Sequence, residues 1–319
     1  MNTNEITVAI AQIAPIWLNR DATIAKVIDY IEKNNNKEVT LIVFGEALIP
    51  GYPFWLELTD GARFNSSMQK KLYAHYVDQA VQIELGHLYP ICLAAKKSKT
   101  AIYIGIIERA KNRGGHSLYC SMVFINKQGK ILSIHRKLMP TYEERLVWAT
   151  GDGNGLQVHS LGDFTVGGLN CWENWMPLPR AALYAQGEDL HVAIWPGNYK
   201  NTHDITRFIA KESRSYVISA SGLMRPSDIP NNIPYAEEIL AACSNDFLAN
   251  GGSCLSAPDG QWVIEPQCEQ EGIYLATIAH HKVRQERQNF DPAGHYSRPD
   301  ITQLTVNRTR QSTVNFIDD

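Results

Sequence analysis

Four residues scattered along the chain have the types needed to open a carbon–nitrogen multiple bond by covalent catalysis: Glu46, Lys137, Glu144 and Cys171. A cysteine that adds to such a carbon needs a base, first for the thiol proton and later to activate water. It also needs a cation for the charge that builds on the attacked group. Cys171 follows an apolar run, Phe164 to Leu169, and precedes Leu178 to Gln186, a helical stretch closed by Gly187. That order predicts a strand-to-helix turn at the carboxyl end of a strand, the edge where open α/β sheets hold ligands. The positive end of the next helix would there favour the thiolate. Glu46 ends the apolar run Leu41 to Phe44, where a carboxylate is costly unless it is hydrogen-bonded or works as a base. Lys137 follows Ile134-His135-Arg136, and Glu144 follows in Thr141-Tyr142-Glu143-Glu144-Arg145. Taken singly, each has an ordinary structural reading: a buried thiol, a carboxylate on backbone amides, a solvated ammonium, a surface pair with Arg145. Only together do the residue types complete the chemistry.

The elements that must position them read as follows. Ile6 to Ile13 alternates at period two and predicts a first strand. Ile24, Val27, Ile28 and Ile31 fall at helical spacing, with Asn34-Asn35-Asn36 as a left-handed exit. Residues from Asn65 to about Ala95 read as helical, broken near Gly86, and Ala101 to Ile107 reads as a buried strand. Leu118 to Asn126 and Lys130 to His135 form a hairpin around Lys127-Gln128-Gly129. Phe164 to Leu169, His191 to Trp195, Tyr216 to Ser221 and Ile273 to Ile278 supply further strands, Arg207 to Arg214 a helix, and Pro258-Asp259-Gly260 a second hairpin turn. Strands alternating with helices, with hairpins mixed in, predict a large α/β layered fold with a mixed sheet. Gly151-Asp152-Gly153-Asn154-Gly155 is a tight turn before a strand at Leu156 to His159, the wrong order for a phosphate loop.

Composition removes several function classes. The 319 residues are 44% hydrophobic and carry a net charge of −3 with both signs dispersed, which leaves no footprint for nucleic acid and no basic amphipathic stretch for a membrane. Met1 to Glu5 lacks the basic flank and apolar core of a signal peptide, and no apolar run is long enough to span a bilayer, so the expectation is a soluble cytoplasmic protein. The six cysteines lack zinc-site spacing, the default is reduced thiols, and the sequons at Asn65 and Asn307 are then chance matches. Ten histidines show no H-E-x-x-H spacing, and His280-His281 should point to opposite sides of the strand they end, so no metal site is expected.

Three motifs in order make the chain similar to the nitrilase superfamily of carbon–nitrogen hydrolases: Val43-Phe44-Gly45-Glu46-Ala47-Leu48-Ile49-Pro50-Gly51-Tyr52-Pro53, His135-Arg136-Lys137-Leu138-Met139-Pro140-Thr141 and Gly168-Leu169-Asn170-Cys171-Trp172-Glu173-Asn174. The resemblance runs from Ile6 to about Val306. It implies Cys171 as nucleophile, Glu46 as general base, Lys137 as stabiliser of the tetrahedral intermediate, and Glu144, the acid directly before arginine, as a second pocket carboxylate. Trp172-Glu173 after Cys171, the run Glu144-Arg145-Leu146-Val147-Trp148 to Gly151-Asp152-Gly153, Trp195-Pro196-Gly197 and Asp291 to Asp300 resemble the nitrilase branch. That branch hydrolyses organic nitriles to carboxylic acid and ammonia with no cofactor. Amidases, carbamoylases and cyanide-hydrolysing enzymes would use the same residues, and a non-catalytic binding protein would not need them all. The implied fold is a single domain, 1–319, with about 300–319 as a short tail. It is a four-layer α-β-β-α sandwich that pairs into an eight-layer dimer, and the short tail favours a small oligomer over a filament. Tyr52, Trp172, Trp175 and Trp195 suggest an aromatic-walled pocket, and Tyr52, Trp172 and Trp195 are the expected substrate-binding residues.

Overall fold

Period-two alternation in the first strand decides the layering. In the computed structural model, which describes residues 4–34, 37–314 and 317, Ile6, Val8 and Ile10 enter one core while Ala9 and Ala11 enter another on the opposite face. The first half of the chain runs β1 (Glu5–Gln12), α1 (Arg20–Lys33), β2 (Leu41–Phe44), α2 (Trp55–Leu58), α3 (Ser67–Gln79), α4 (Tyr89–Ser98), β3 (Ala101–Arg109), β4 (Leu118–Ile125) and β5 (Ile131–Arg136). The second half adds β6 (His159–Leu161), β7 (Phe164–Asn170), α5 (Pro177–Tyr184), β8 (Leu190–Trp195), α6 (Tyr199–Ser213), β9 (Tyr216–Ser221), β10 (Leu223–Met224), α7 (Ala236–Ala242), β11 (Ala249–Ser256), β12 (Trp262–Cys268), β13 (Gly272–Ala279) and α8 (His280–Arg287).

Two mixed sheets result, ordered β13-β1-β2-β3-β4-β5 and β10-β11-β9-β8-β7-β6, with β12 on β11. Between the sheets, Val8, Ile10, Val43 and Phe124 pack with Val166, Val192 and Ile218. Outside the first sheet, Ile24, Val27 and Ile31 of α1 and Ile91 and Ala95 of α4 cover Ala9, Ile42 and Ile104. Outside the second, Ile205 and Ile209 of α6 cover Ala193 and Val217. These are the four layers that the resemblance implied.

Several local expectations change. Leu156 to Val158 is not strand, because the Gly153–Gly155 turn runs on and pairing starts only at His159. His280 and His281 open α8 rather than ending a strand, and His280 Nε2 bonds Asp189 at 2.7 Å. Asn34 ends α1 at φ −107, outside the left-handed region, and Asn35 and Asn36 lie outside the described residues. The helix around Arg207 starts earlier, at Tyr199, where the Asn198 side chain accepts from the Lys200 N–H. The expected tail is strapped to the body: Arg310 donates to Asp152 (2.9 Å) and to the Ile134 carbonyl (2.9 Å), and Asn154 donates to the Arg308 carbonyl (3.0 Å).

Glu46 follows β2 and Lys137 follows β5 of the first sheet, Cys171 follows β7 of the second, and face-to-face packing of the two sheets brings these strand ends together. Close approach is what lets the Glu46 turn pass over β3. A Cβ on Gly105 would lie 2.4 Å from the Gly45 oxygen and 2.6 Å from the Glu46 Cα. Gly105→Ala should therefore destabilise the protein by about 1–3 kcal/mol through overpacking. It should also displace Glu46, read as a lower Tm together with lost turnover. A Tm and activity unchanged from wild type would show that the turn can move aside.

Candidate active site

Each member of the cluster is held by the element it follows. The Glu46 N–H donates to the Trp195 carbonyl (3.2 Å), tying the end of β2 to the end of β8 across the two sheets. The Lys137 N–H donates to the Cys120 carbonyl (2.7 Å), continuing the β4/β5 ladder by one residue. Glu144 sits in the 3₁₀ turn Tyr142–Leu146, where its Oε2 accepts from the Thr141 N–H at 2.6 Å in a capping box. Cys171 is the first residue beyond β7 and has φ +45. A left-handed conformation is strained for a non-glycine residue, on the order of 1–3 kcal/mol, and it makes the turn sharp.

The side chains meet in a dry interior. Lys137 Nζ lies 2.8 Å from Glu46 Oε1 and 2.8 Å from Glu144 Oε2, and the ammonium and both carboxylates are at most 1% exposed. Oxygens of Glu46 and Glu144 and the Cys171 sulfur all lie within 4.8 Å of one another. Two carboxylates and a thiol are a plausible metal donor set, but the Lys137 ammonium already bridges both carboxylates and supplies the positive charge. The Tyr52 hydroxyl lies 3.0 Å from Glu144 Oε1 and 3.2 Å from Glu143 Oε1, so it joins the buried acid to its half-buried neighbour. Trp148 places its ring 5.6 Å from the ammonium.

Burial shapes the titration of the cluster. It raises Glu46 to about 7, with Glu144 adding to the rise while Lys137 and hydrogen bonds from Lys137 and Cys120 oppose it. Burial works against the Lys137 ammonium, yet the anionic forms of Cys171, Glu46 and Glu144 outweigh it and hold the group protonated. Burial also pushes the Cys171 thiol well above its ordinary value, and Lys137 and the Trp172 N–H offset only part of this. The expected helix-stabilised thiolate is thus corrected. The 3₁₀ turn Cys171–Trp175 intervenes and α5 begins only at Pro177, so desolvation dominates. A proton passing from Cys171 to Glu46 leaves the net charge of the cluster unchanged, which is the low-cost way to make a nucleophile in a dry site.

The aromatic residues separate. Tyr52 is at the cluster. Trp195 is fully buried behind Cys171, donates to Ser219 Oγ (3.2 Å) and packs against Ile205 and Ile209, which makes its side chain core and its carbonyl the anchor for Glu46. Trp172 and Trp175 are about half exposed, at 53% and 47%. A cavity of about 670 Å³ beside Glu143 is lined by Leu56, Glu57, Asp60, Tyr142 and Leu146, and by none of the tryptophans.

Two buried residues had no role assigned from the sequence, although Glu173 stands in the cysteine motif. Glu173 Oε1 accepts from the Leu138 N–H (2.6 Å) and its Oε2 from the Asn170 N–H (2.8 Å), while His135 Nε2 lies 3.0 Å from Oε2. One carboxylate therefore clamps the lysine segment to the cysteine turn. The Asn170-x-x-Glu173 spacing of a capping box was the available signal. Cys120, in the middle of β4, donates its thiol to Glu46 Oε1 (3.1 Å), and nothing in its local sequence marks it.

The sequence profile of the carbon–nitrogen hydrolase family matches residues 7–288, and the chain belongs to that family. It is 35% identical to "Nitrilase 2" of an unknown prokaryotic organism over 98% of this chain and 96% of that protein. An aliphatic nitrilase of Rhodococcus rhodochrous is 32% identical over 99% of this chain and 82% of its own length. The crystal structure of a carbon–nitrogen hydrolase from Helicobacter pylori G27 shares the fold, with a TM-score of 0.69 at 18% identity, over 94% of this chain and 97% of that one.

The clamp is testable without knowing the substrate. Glu173→Gln turns one acceptor oxygen into a donor facing a buried N–H, which should cost about 1–3 kcal/mol of stability. The measurement is denaturant unfolding of both proteins. Equal midpoints would mean that the two segments hold their places without this carboxylate.

Proposed function

We propose that this protein hydrolyses an organic nitrile to the carboxylic acid and ammonia, with Cys171 as nucleophile, Glu46 as general base, Lys137 as the electrostatic stabiliser and Glu144 as the carboxylate that holds Lys137 and borders the substrate. The observation that carries this reading is the convergence of those four side chains, from four separate segments, into one buried cluster. Likeness over nearly the whole chain to relatives named as nitrilases supports nitrile over amide.

The steps follow from the geometry. Cys171 Sγ attacks the nitrile carbon as Glu46 takes the thiol proton, and the developing charge on nitrogen meets the Lys137 ammonium. Protonation of that nitrogen completes a thioimidate. Glu46 activates a water that adds to the same carbon, and the tetrahedral intermediate expels ammonia to leave a thioester. A second water, activated in the same way, releases the acid and restores the thiol. Two waters and one nitrile give one acid and one ammonia, and no cofactor enters the balance. Tyr52 and Trp172 are the proposed substrate contacts, and Trp195 acts behind them by backing Cys171.

A nitrile has no amino group to hydrogen-bond, so its site needs no buried acceptor that an amide would require. A side-by-side assay of one nitrile and its amide should give acid and ammonia from the nitrile and poor turnover of the amide. The reverse preference would make the protein an amidase. In the same assay Cys171→Ala should abolish turnover, and Glu46→Gln should lower it by roughly 10²–10⁴. Glu144→Gln should be severe and Glu143→Gln mild. Because Glu46 titrates at about 7 and works ionised, the rate should rise with pH through that value. Activity in Cys171→Ala, or a flat profile there, would overturn these roles.

The chain, 1–319, is proposed to act as one domain, in the cytoplasm, and to pair through a two-fold interface into dimers that extend to higher even-numbered oligomers. Closed two-fold pairing is the commonest symmetry of soluble assemblies. Light scattering at working concentration should return at least twice the 35.8 kDa of the chain. A monomer would exclude the pairing.

A further inference from the structure

Glu46 has a divided carboxylate. Its Oε1 accepts from Lys137 Nζ (2.8 Å) and from the Cys120 thiol (3.1 Å), whereas its Oε2 is buried and has no partner among the described residues. Buried carboxylate oxygens are seldom left bare, because the group then carries its full desolvation penalty. A Glu46 oxygen lies within 4.8 Å of the Cys171 sulfur, and a carboxylate oxygen without a donor is free to take and return a proton.

We propose that Cys120 is a positioning residue for the base. Its thiol and the Lys137 ammonium together occupy Oε1, which fixes the carboxylate plane and leaves Oε2 as the oxygen that exchanges the proton. This rests on the reading of Glu46 as the base. Cys120 is 1% exposed in β4, directly beside the catalytic segment, and its carbonyl also accepts from the Lys137 N–H (2.7 Å). One residue therefore sets the backbone of the cation and the side chain of the base.

The thiol suits this task. Burial and the Glu46 and Glu144 charges push it well above its ordinary value, so it remains a donor while Glu46 titrates and does not compete as a nucleophile. An S–H is a weak donor. It steadies the ionised carboxylate without lowering its basicity as far as a hydroxyl or amide donor would. The titratable groups that interact electrostatically with Glu46 are Lys137, Glu144, Cys171, Cys120, Tyr52 and Tyr76, and of these only Cys120 and Lys137 hydrogen-bond it.

The test compares wild type, Cys120→Ala and Cys120→Ser, each checked for native thermal unfolding. Two readouts are followed against pH: kcat and KM for the nitrile, and the rate at which iodoacetamide alkylates Cys171. Loss of the donor in Cys120→Ala should move the acidic limb of both profiles upward by about 0.5–1 pH unit, the size of shift that one neutral hydrogen bond supports. It should lower kcat at neutral pH with KM little changed. Cys120→Ser, a stronger donor, should move the limb the other way and restore kcat toward wild type. A limb that stays in place in Cys120→Ala, or that moves the same way in both variants, overturns the proposal and leaves Cys120 as core packing. Should Cys120→Ala fail to fold, Cys120→Ser decides alone, and an unmoved limb overturns it. Alkylation needs no nitrile, so a wild type that turns over no nitrile would sink the substrate reading while the alkylation limb still judges Cys120.

Discussion

The site depends on one buried ion triad, Glu46, Lys137 and Glu144, in which a single ammonium stands 2.8 Å from each of two carboxylates. Desolvating three charges is expensive, and the attraction between them repays it only where geometry is close and the remaining valences are satisfied. Removal of the ammonium would leave two buried carboxylates uncompensated, with a penalty of about 3–5 kcal/mol. Much of the surrounding structure can be understood as meeting that demand. Thr141 and Tyr52 complete Glu144, Cys120 completes one side of Glu46, and Trp148 faces the ammonium.

The same dryness sets the chemistry. A thiolate in this interior would be a second net negative charge, so Cys171 rests as a thiol and Glu46 sits near 7, where it can accept a proton. On the proposed reading, the nucleophile is formed by moving a proton inside the cluster rather than by storing an anion. This differs from thiols activated at a helix terminus, and the reason is positional: a 3₁₀ turn separates Cys171 from α5.

Rigidity comes from contacts that join segments far apart in the chain. Trp195 ties the second sheet to Glu46, Glu173 ties the lysine segment to the cysteine turn, and a glycine at 105 gives the Glu46 turn its space. Farther out, Arg310 reaches the Asp152 carboxylate beside Gly151, whose N–H donates to the Lys137 carbonyl (2.8 Å), so the tail supports the cation from behind. A cluster of this kind tolerates little displacement, since a buried charge moved by an ångström loses its partner.

The amino-acid sequence by itself determined the residue types, their placement at the ends of apolar strands, and the strand and helix periods that build two sheets between helix layers. Those are local properties, carried by spacings of two to four residues, and Ile6 to Ile10, Ile24 to Ile31 and the Gly129 turn show them plainly. Only the tertiary structure decided which atoms meet. Cys120 and Glu46 are 74 residues apart and Lys137 and Glu46 are 91 apart, so both pairings depend on the order and register of strands within one sheet, and stacking of the second sheet then brings in Cys171. The fate of the tryptophans was equally hidden, because a tryptophan at a strand end reads the same whether it is buried, as Trp195 is, or half exposed, as Trp172 is. The protonation state of Cys171 belongs to the same class: composition supplies the thiol, but desolvation is a property of the packed interior and has no counterpart in a linear string.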